Sequence, residues 1–116
     1  MGCLFCDIIE GKVPSQKVLE TDKIYAFRDI NPQSPVHVLV IHKEHIKTIE
    51  DLNQNNIHII GDLFQGVKDV ARITGIDKDG YRVIINNGAA GGQVIWHMHI
   101  HVMGGRKDMG PMIVPE

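Results

Sequence analysis

Long apolar runs are missing from this 116-residue chain, and so is any leader combining positive charge, an apolar stretch and small residues. A helix needs about 18 apolar residues to be read as crossing a bilayer, so the expectation is no membrane span, no signal peptide and a cytoplasmic location. Blocks of Lys and Arg are also absent: 12 basic against 14 acidic residues leave a net charge of -2. That balance argues against a nucleic-acid groove or an anionic membrane surface as the main partner. Neither Gly-x-Gly-x-x-Gly nor Gly-x-x-x-x-Gly-Lys-Ser/Thr occurs, so neither a dinucleotide-binding fold nor a P-loop is supported. No repeat, low-complexity tract or linker divides the chain, and residues 1–116 are expected to form one domain.

What the chain does have is Trp96-His97-Met98-His99-Ile100-His101-Val102, a strict alternation of imidazole with apolar side chain. A period of two is a strand with one face buried. The expectation is that Trp96, Met98, Ile100 and Val102 point into a core while His97, His99 and His101 line the other face at steps of about 7 Å. Three titratable rings in a row would repel as cations, so the array calls for a reaction or a metal. Just upstream, Asn86-Asn87-Gly88-Ala89-Ala90-Gly91-Gly92-Gln93 reads as the connection of a hairpin. Glycine lets backbone come close to a ligand and turn N–H groups inward, as in loops that hold phosphate oxygens, although many such loops are only turns.

Cys3-x-x-Cys6 admits three readings. A redox dithiol would need a preceding strand, and only two residues precede Cys3. A structural zinc site needs four ligands, of which the thiols supply half and histidines the rest. The third reading is two buried free thiols packing as small hydrophobes.

The remaining pattern is α+β: a short helix over Met1 to Gly11, strands over Lys17 to Glu20, Ile24 to Arg28 and His37 to His42, and a long helix from about Gln54 to Thr74. Two further strands follow, Tyr81 to Asn86 and Val94 to Met103. Ile57, Ile60, Leu63, Phe64, Val67, Val70 and Ala71 follow helical spacing, which outweighs the cost of Gly61 and Gly66, about 1 kcal/mol each. Five strands in succession around one long helix imply an antiparallel sheet with the helices on one side.

These residues resemble the histidine-triad (HIT) family, and within it the Hint-type branch. The resemblance runs through Leu4-Phe5-Cys6-Asp7-Ile8-Ile9, Ala26-Phe27-Arg28-Asp29-Ile30-Asn31-Pro32, His37 to His45, Gly91-Gly92-Gln93 with the His-x-His-x-His run, Gly104-Gly105-Arg106 and Gly110-Pro111. It implies a HIT-like fold whose five-stranded sheet joins that of a second copy into a ten-stranded homodimer. It also implies a hydrolase that cleaves the P–N bond of purine nucleoside phosphoramidates, or acyl-adenylates, through a nucleotidyl-histidine and releases AMP or GMP. A dinucleoside polyphosphate hydrolase and a non-catalytic nucleotide-binding or scaffold protein are the alternatives.

By the same resemblance His99 is the nucleophile, flanked on its face by His97 and His101, with His97 counted in the catalytic set as well; His101 binds a nonbridging phosphate oxygen, His37 belongs to the surrounding histidine network, and Gly92, Gln93 and Val94 offer backbone donors. Asp29 would bind the ribose hydroxyls, Phe5, Ile8 and Ile30 would wall the purine, and Asn86 would lie near phosphate and ribose. For Phe5, Ile8 and Ile30 the plain alternative is core, and for Asn86 a turn cap. Cys3, Cys6, His45 and His97 would hold a structural zinc, and no organic cofactor is implied. One zinc on all three triad histidines fits less well, because His97 and His101 would stand about 13 Å apart on a strand. His42 and His58 read as structural histidines, His42 standing where related chains usually carry proline. Val94 replaces the serine or threonine usual after Gly-Gln, so a hydroxyl contact to phosphate or leaving group is lost.

Overall fold

A computed structural model describes residues 2–113, in the order α1 (Leu4–Ile9), β1 (Lys17–Glu20), β2 (Ile24–Arg28), β3 (Val36–His42), α2 (His58–Thr74), β4 (Arg82–Ile84) and β5 (His99–Gly104). The strands form one antiparallel sheet in the order β1-β2-β3-β5-β4. The five-stranded α+β architecture expected from the sequence is therefore present, and no helix among the described residues is long and apolar enough to cross a membrane.

The helices do not share one side of the sheet. Along β2 and β3, Ile24, Ala26, Val38 and Val40 pack with Ile100 and Val102 against Ile59, Leu63, Val67, Val70 and Ala71 of α2. The alternate residues Tyr25, Phe27, Leu39 and Ile41 pack against Phe5 and Ile8 of α1. The period of two in strands buried on both faces thus sorts side chains between two helices on opposite faces. On the first face each fully buried large aliphatic contributes about 1.5–3 kcal/mol, while α1 is held mainly by Phe5 and Ile8.

Local chemistry trims several expected elements. The long helix starts at His58 rather than Gln54, because the Asn53 and Asn56 side chains take backbone amides of Asn55 and Asn53 into a turn. The helix predicted over Met1 to Gly11 narrows to Leu4–Ile9, with Met1 outside the described residues and the Cys3 sulfur accepting from the Cys6 amide at its N-terminus. The strand expected over Val94 to Met103 begins only at His99, and β4 covers only Arg82–Ile84, so the connection between them spans residues 85–98. Trp96 is 46% exposed instead of buried, since it lies in that connection, whereas Met98, Ile100 and Val102 enter the core as expected.

Candidate active site and metal centre

The face of the sheet that receives α1 carries a row of imidazoles. β3 and β5 pair Leu39 with His101 and Ile41 with His99, and His37 lies on the same face of β3. Ring centroids are 5.2 Å apart between His37 and His101 and 5.2 Å between His101 and His99. Phe5 stands edge-on to His99 at 5.0 Å. The row is thus His37, His101, His99. His97 is not its third member, because it precedes the β3–β5 ladder and its ring turns toward Cys3 and Cys6.

Backbone groups assign the proton on each ring. The Gln33 amide donates to His37 Nδ1 at 3.0 Å, so His37 carries its proton on Nε2 and donates it to His101 Nδ1 at 2.9 Å. The His101 proton is then on Nε2. His99 Nδ1 donates to the His97 carbonyl oxygen at 2.8 Å, which leaves the lone pair on His99 Nε2. No buried side-chain nitrogen or oxygen lacks a partner among the described residues. The Nε2 atoms of His99 and His101 have no such partner and are therefore reached by solvent. Burial lowers the pKa of His99 and His37 below the usual imidazole range. Burial, then the neighbouring His99 and His37, pushes His101 down to about 4. A neutral nucleophilic nitrogen beside a neutral N–H donor is the arrangement that attack on phosphorus requires.

Asp29 reaches this row: its Oδ2 lies 3.5 Å from His37 Nε2, and its Oδ1 accepts from the Asn31 amide. It also lines a surface cavity with Pro14, Gln16, Arg28, Ile30 and Pro32. Phe5 and Ile8 are core residues beneath the row, whereas Ile30 is 91% exposed at the cavity rim. The glycine loop is more self-contained than its sequence suggests. The Gly92 and Gln93 amides close on the carbonyls of Ala89 and Gly88, so they are spent on the turn rather than offered to an anion. Among the described residues the Val94 amide donates to nothing, and Val94 is 80% exposed. The Gln93 side chain accepts from the Gly88 amide and donates to the Lys47 and Ile95 carbonyls, while Asn86 Nδ2 donates to the Gly91 carbonyl. Both act as braces of the loop.

Cys3, Cys6, His45 and His97 bring four donor atoms within 4.8 Å of one another. Cys3 Sγ and Cys6 Sγ lie 3.4 and 3.6 Å from His97 Nδ1, Cys6 Sγ lies 3.3 Å from His45 Nδ1, and the two Nδ1 atoms are 3.1 Å apart. A tetrahedral zinc with Zn–N near 2.0 Å and Zn–S near 2.3 Å has edges of about 3.3–3.8 Å, so the four residues fit that ion. Orientation agrees as well. His97 Nε2 donates to the His42 carbonyl at 2.9 Å, which aims the lone pair of Nδ1 at the sulfurs, as metal-bound histidines require. Burial pushes His97 down to about 4, keeping it in the neutral, ligating form. Burial, then the adjacent Cys3, pushes the Cys6 thiol up to about 11. Cys3, Cys6 and His45 also line an open cavity, which gives an ion a way in.

Three contributors carried little signal in the sequence: the Gln33 amide, the His42 carbonyl and Asp62, which accepts from His42. Two are backbone groups, whose role depends on fold and not on residue type. Pro32 and Pro35 around Gln33 were the one hint of a fixed turn there.

The HIT domain matches residues 10–108. The chain belongs to the HIT family. It is 39% identical over 110 residues to the purine nucleoside phosphoramidase of Escherichia coli (strain K12), covering 95% of this chain and 92% of that one. It is 42% identical to a 14 kDa zinc-binding protein of Zea mays, covering 93% and 85%. Among solved structures, a HIT family hydrolase from Clostridium thermocellum superposes with a TM-score of 0.92 at 44% identity, covering 97% of each chain.

Proposed function

We propose that this HIT protein is a hydrolase of purine nucleoside phosphoramidates or acyl-adenylates, acting through a nucleotidyl-histidine on His99. The observation that carries the reading is the 2.8 Å bond from His99 Nδ1 to the His97 carbonyl, which leaves the Nε2 lone pair open to solvent. In the first step that lone pair attacks phosphorus and the bond to the leaving group breaks: the P–N bond of a phosphoramidate, whose amine departs with a proton drawn from solvent, or the P–O bond of an acyl-adenylate, which departs as a carboxylate. In the second, water attacks phosphorus, the bond to Nε2 breaks, and AMP or GMP leaves. His101 Nε2–H is assigned to the charge that builds on the phosphoryl oxygens, and the Val94 amide, which has no partner among the described residues, is assigned to the same oxygens. Asp29, an acceptor only, suits the two ribose hydroxyls, and the cavity beside it suits a nucleoside. The phosphoramidase activity named for the E. coli relative supports the substrate class.

Cys3, Cys6, His45 and His97 hold zinc in this reading, consistent with the zinc-binding Zea mays relative. A closed site of four protein ligands clamps α1 to the sheet and leaves no position for water, so its contribution is structural. A cytoplasmic homodimer belongs to the same proposal. The edge strand β4 with exposed Val83, and the exposed Phe64 and Ile73 of α2, offer a surface for sheet-to-sheet pairing.

The test is amine release from an adenosine phosphoramidate, with intact mass used to trap an adenylylated chain. Wild type should turn over, and His99→Ala should lose on the order of 10³-fold or more while keeping its fold. Equal rates for the two proteins would refute the assignment, and faster cleavage of a diadenosine polyphosphate would move the chain to the other hydrolase class.

A further inference from the structure

Both histidines of the metal centre hang from a single residue outside it. His42 closes β3 and is 2% exposed. Its Nδ1 accepts from the Glu44 amide at 3.0 Å, so its proton is on Nε2, which donates to Asp62 Oδ2 of α2 at 2.9 Å. That side chain therefore fixes the turn leading out of β3, and His45 follows Glu44 directly. The Lys43 amide, bonded to the Lys23 carbonyl at 2.8 Å, holds the same turn from the β2 side. The backbone of His42 serves the other ligand: its carbonyl oxygen accepts the His97 Nε2 proton at 2.9 Å and so points His97 Nδ1 at the sulfurs.

We propose that His42, anchored by Asp62, is the positioning residue of the metal centre, setting His45 through its ring and His97 through its carbonyl. The proposal rests on the metal reading above and adds the device that holds two of the four ligands in register with α2. A buried imidazole with both nitrogens satisfied is a costly way to fill a strand end, since an aliphatic side chain would do so without desolvating a polar ring. What the ring provides instead is direction, one bond to the helix and one to the turn. The carbonyl that orients His97 cannot be removed by mutation; it lies where His42 pairs with Ile24 at the end of β3, the strand end that the ring ties to α2 and to the turn. Loosening the ring should therefore loosen the metal.

The experiment measures zinc affinity of the full chain by competition with a chromophoric chelator, and the thiolate-to-cobalt absorption after Co²⁺ substitution. Wild type should take up one zinc per chain. Asp62→Ala, at a half-exposed position, should weaken zinc binding by roughly tenfold and alter the cobalt spectrum. Asp62→Asn, which keeps an acceptor for His42, should recover most of the loss, and His42→Ala should match Asp62→Ala or exceed it. Thermal melting of the metal-free proteins separates a packing role. If Asp62→Ala and His42→Ala melt lower yet bind zinc as tightly as wild type, the positioning role is refuted while the metal reading stands. A wild-type chain that takes up no zinc overturns the metal reading and this inference together.

Discussion

His37 Nε2 donates to His101 Nδ1 across 2.9 Å, and this bond exists only while His101 lacks a proton on that nitrogen. Burial, then the neighbouring His99 and His37, pushes the His101 pKa down to about 4. As pH falls through that value, two N–H donors come to face each other and the donor side of the site loses its order. Hydrolysis should hold near its plateau from about pH 8 to 5 and fall toward 4. Stability follows the same direction. An unfolded imidazole takes its proton near 6.5, while folded His101 waits until about 4. The unfolded state therefore binds more protons in this window, and stability present above 6.5 drains away as pH falls toward 4. Rate and melting profiles check both statements, and a break in rate centred on 6.5 would contradict the first.

Asp29 sits between the row and the cavity, 3.5 Å from His37 Nε2 and open to solvent on its other side. If its carboxylate receives the ribose hydroxyls, Asp29→Asn exchanges two charge-assisted bonds for weaker ones and brings in a donor where only acceptors suit. We expect KM for an adenosine phosphoramidate to rise by about 10–100-fold, with a smaller change in kcat. Wild type should discriminate against the 2′-deoxy substrate and the variant should not. Retention of that discrimination in Asp29→Asn would place the ribose elsewhere.

The two glycines of α2 look alike in sequence and differ in the fold. A Cβ on Gly66 would lie 2.6 Å from Ile24 Cδ1 and 3.1 Å from Val40 Cγ1, because this turn of the helix rests directly on β2 and β3. At Gly61 a Cβ meets nothing within 4 Å. Gly66→Ala should destabilise by about 1–3 kcal/mol through overpacking, and Gly61→Ala should stabilise by up to about 1 kcal/mol through helix propensity. Denaturant melts of the pair decide it, and equal effects would show that the helix does not approach the sheet this closely.

That contrast shows where the sequence was readable and where it was not. The apolar runs Ile24 to Phe27 and Val38 to Ile41, set off by turn residues, marked the central strands, and Met98, Ile100 and Val102 reached the core as their spacing required. A run apolar on both faces does not say which helix covers each one, and α1 took the side opposite α2. His97 fits the triad by spacing, yet its ring is drawn to two sulfurs that lie 94 and 91 residues away. The Gly92 and Gln93 amides looked available because composition marks a loop as permissive without telling where its own hydrogen bonds close. Such long-range and main-chain choices leave no local trace in residue type.

Val94 offers the last prediction, because it combines an exposed position with a chemical gap. Its side chain is 80% exposed and packs no core, so Val94→Ser should change stability by no more than about 0.5 kcal/mol. The Val94 amide donates to nothing among the described residues, and the proposed site assigns it to the phosphoryl group. A serine there adds a hydroxyl donor on the same residue, aimed at the same oxygens or at the departing nitrogen. One neutral hydrogen bond gained as charge builds corresponds to about 0.5–1.5 kcal/mol, or roughly a 2- to 10-fold rise in kcat/KM. The gain should be larger for poor leaving groups, such as alkylamines, than for good ones, since only the former need help at the bond being broken. Rates measured across a series of phosphoramidates test this. A Val94→Ser protein whose rate is unchanged for every leaving group would show that residue 94 does not face the reacting phosphorus, and would remove the Val94 amide from the proposed oxyanion donors as well.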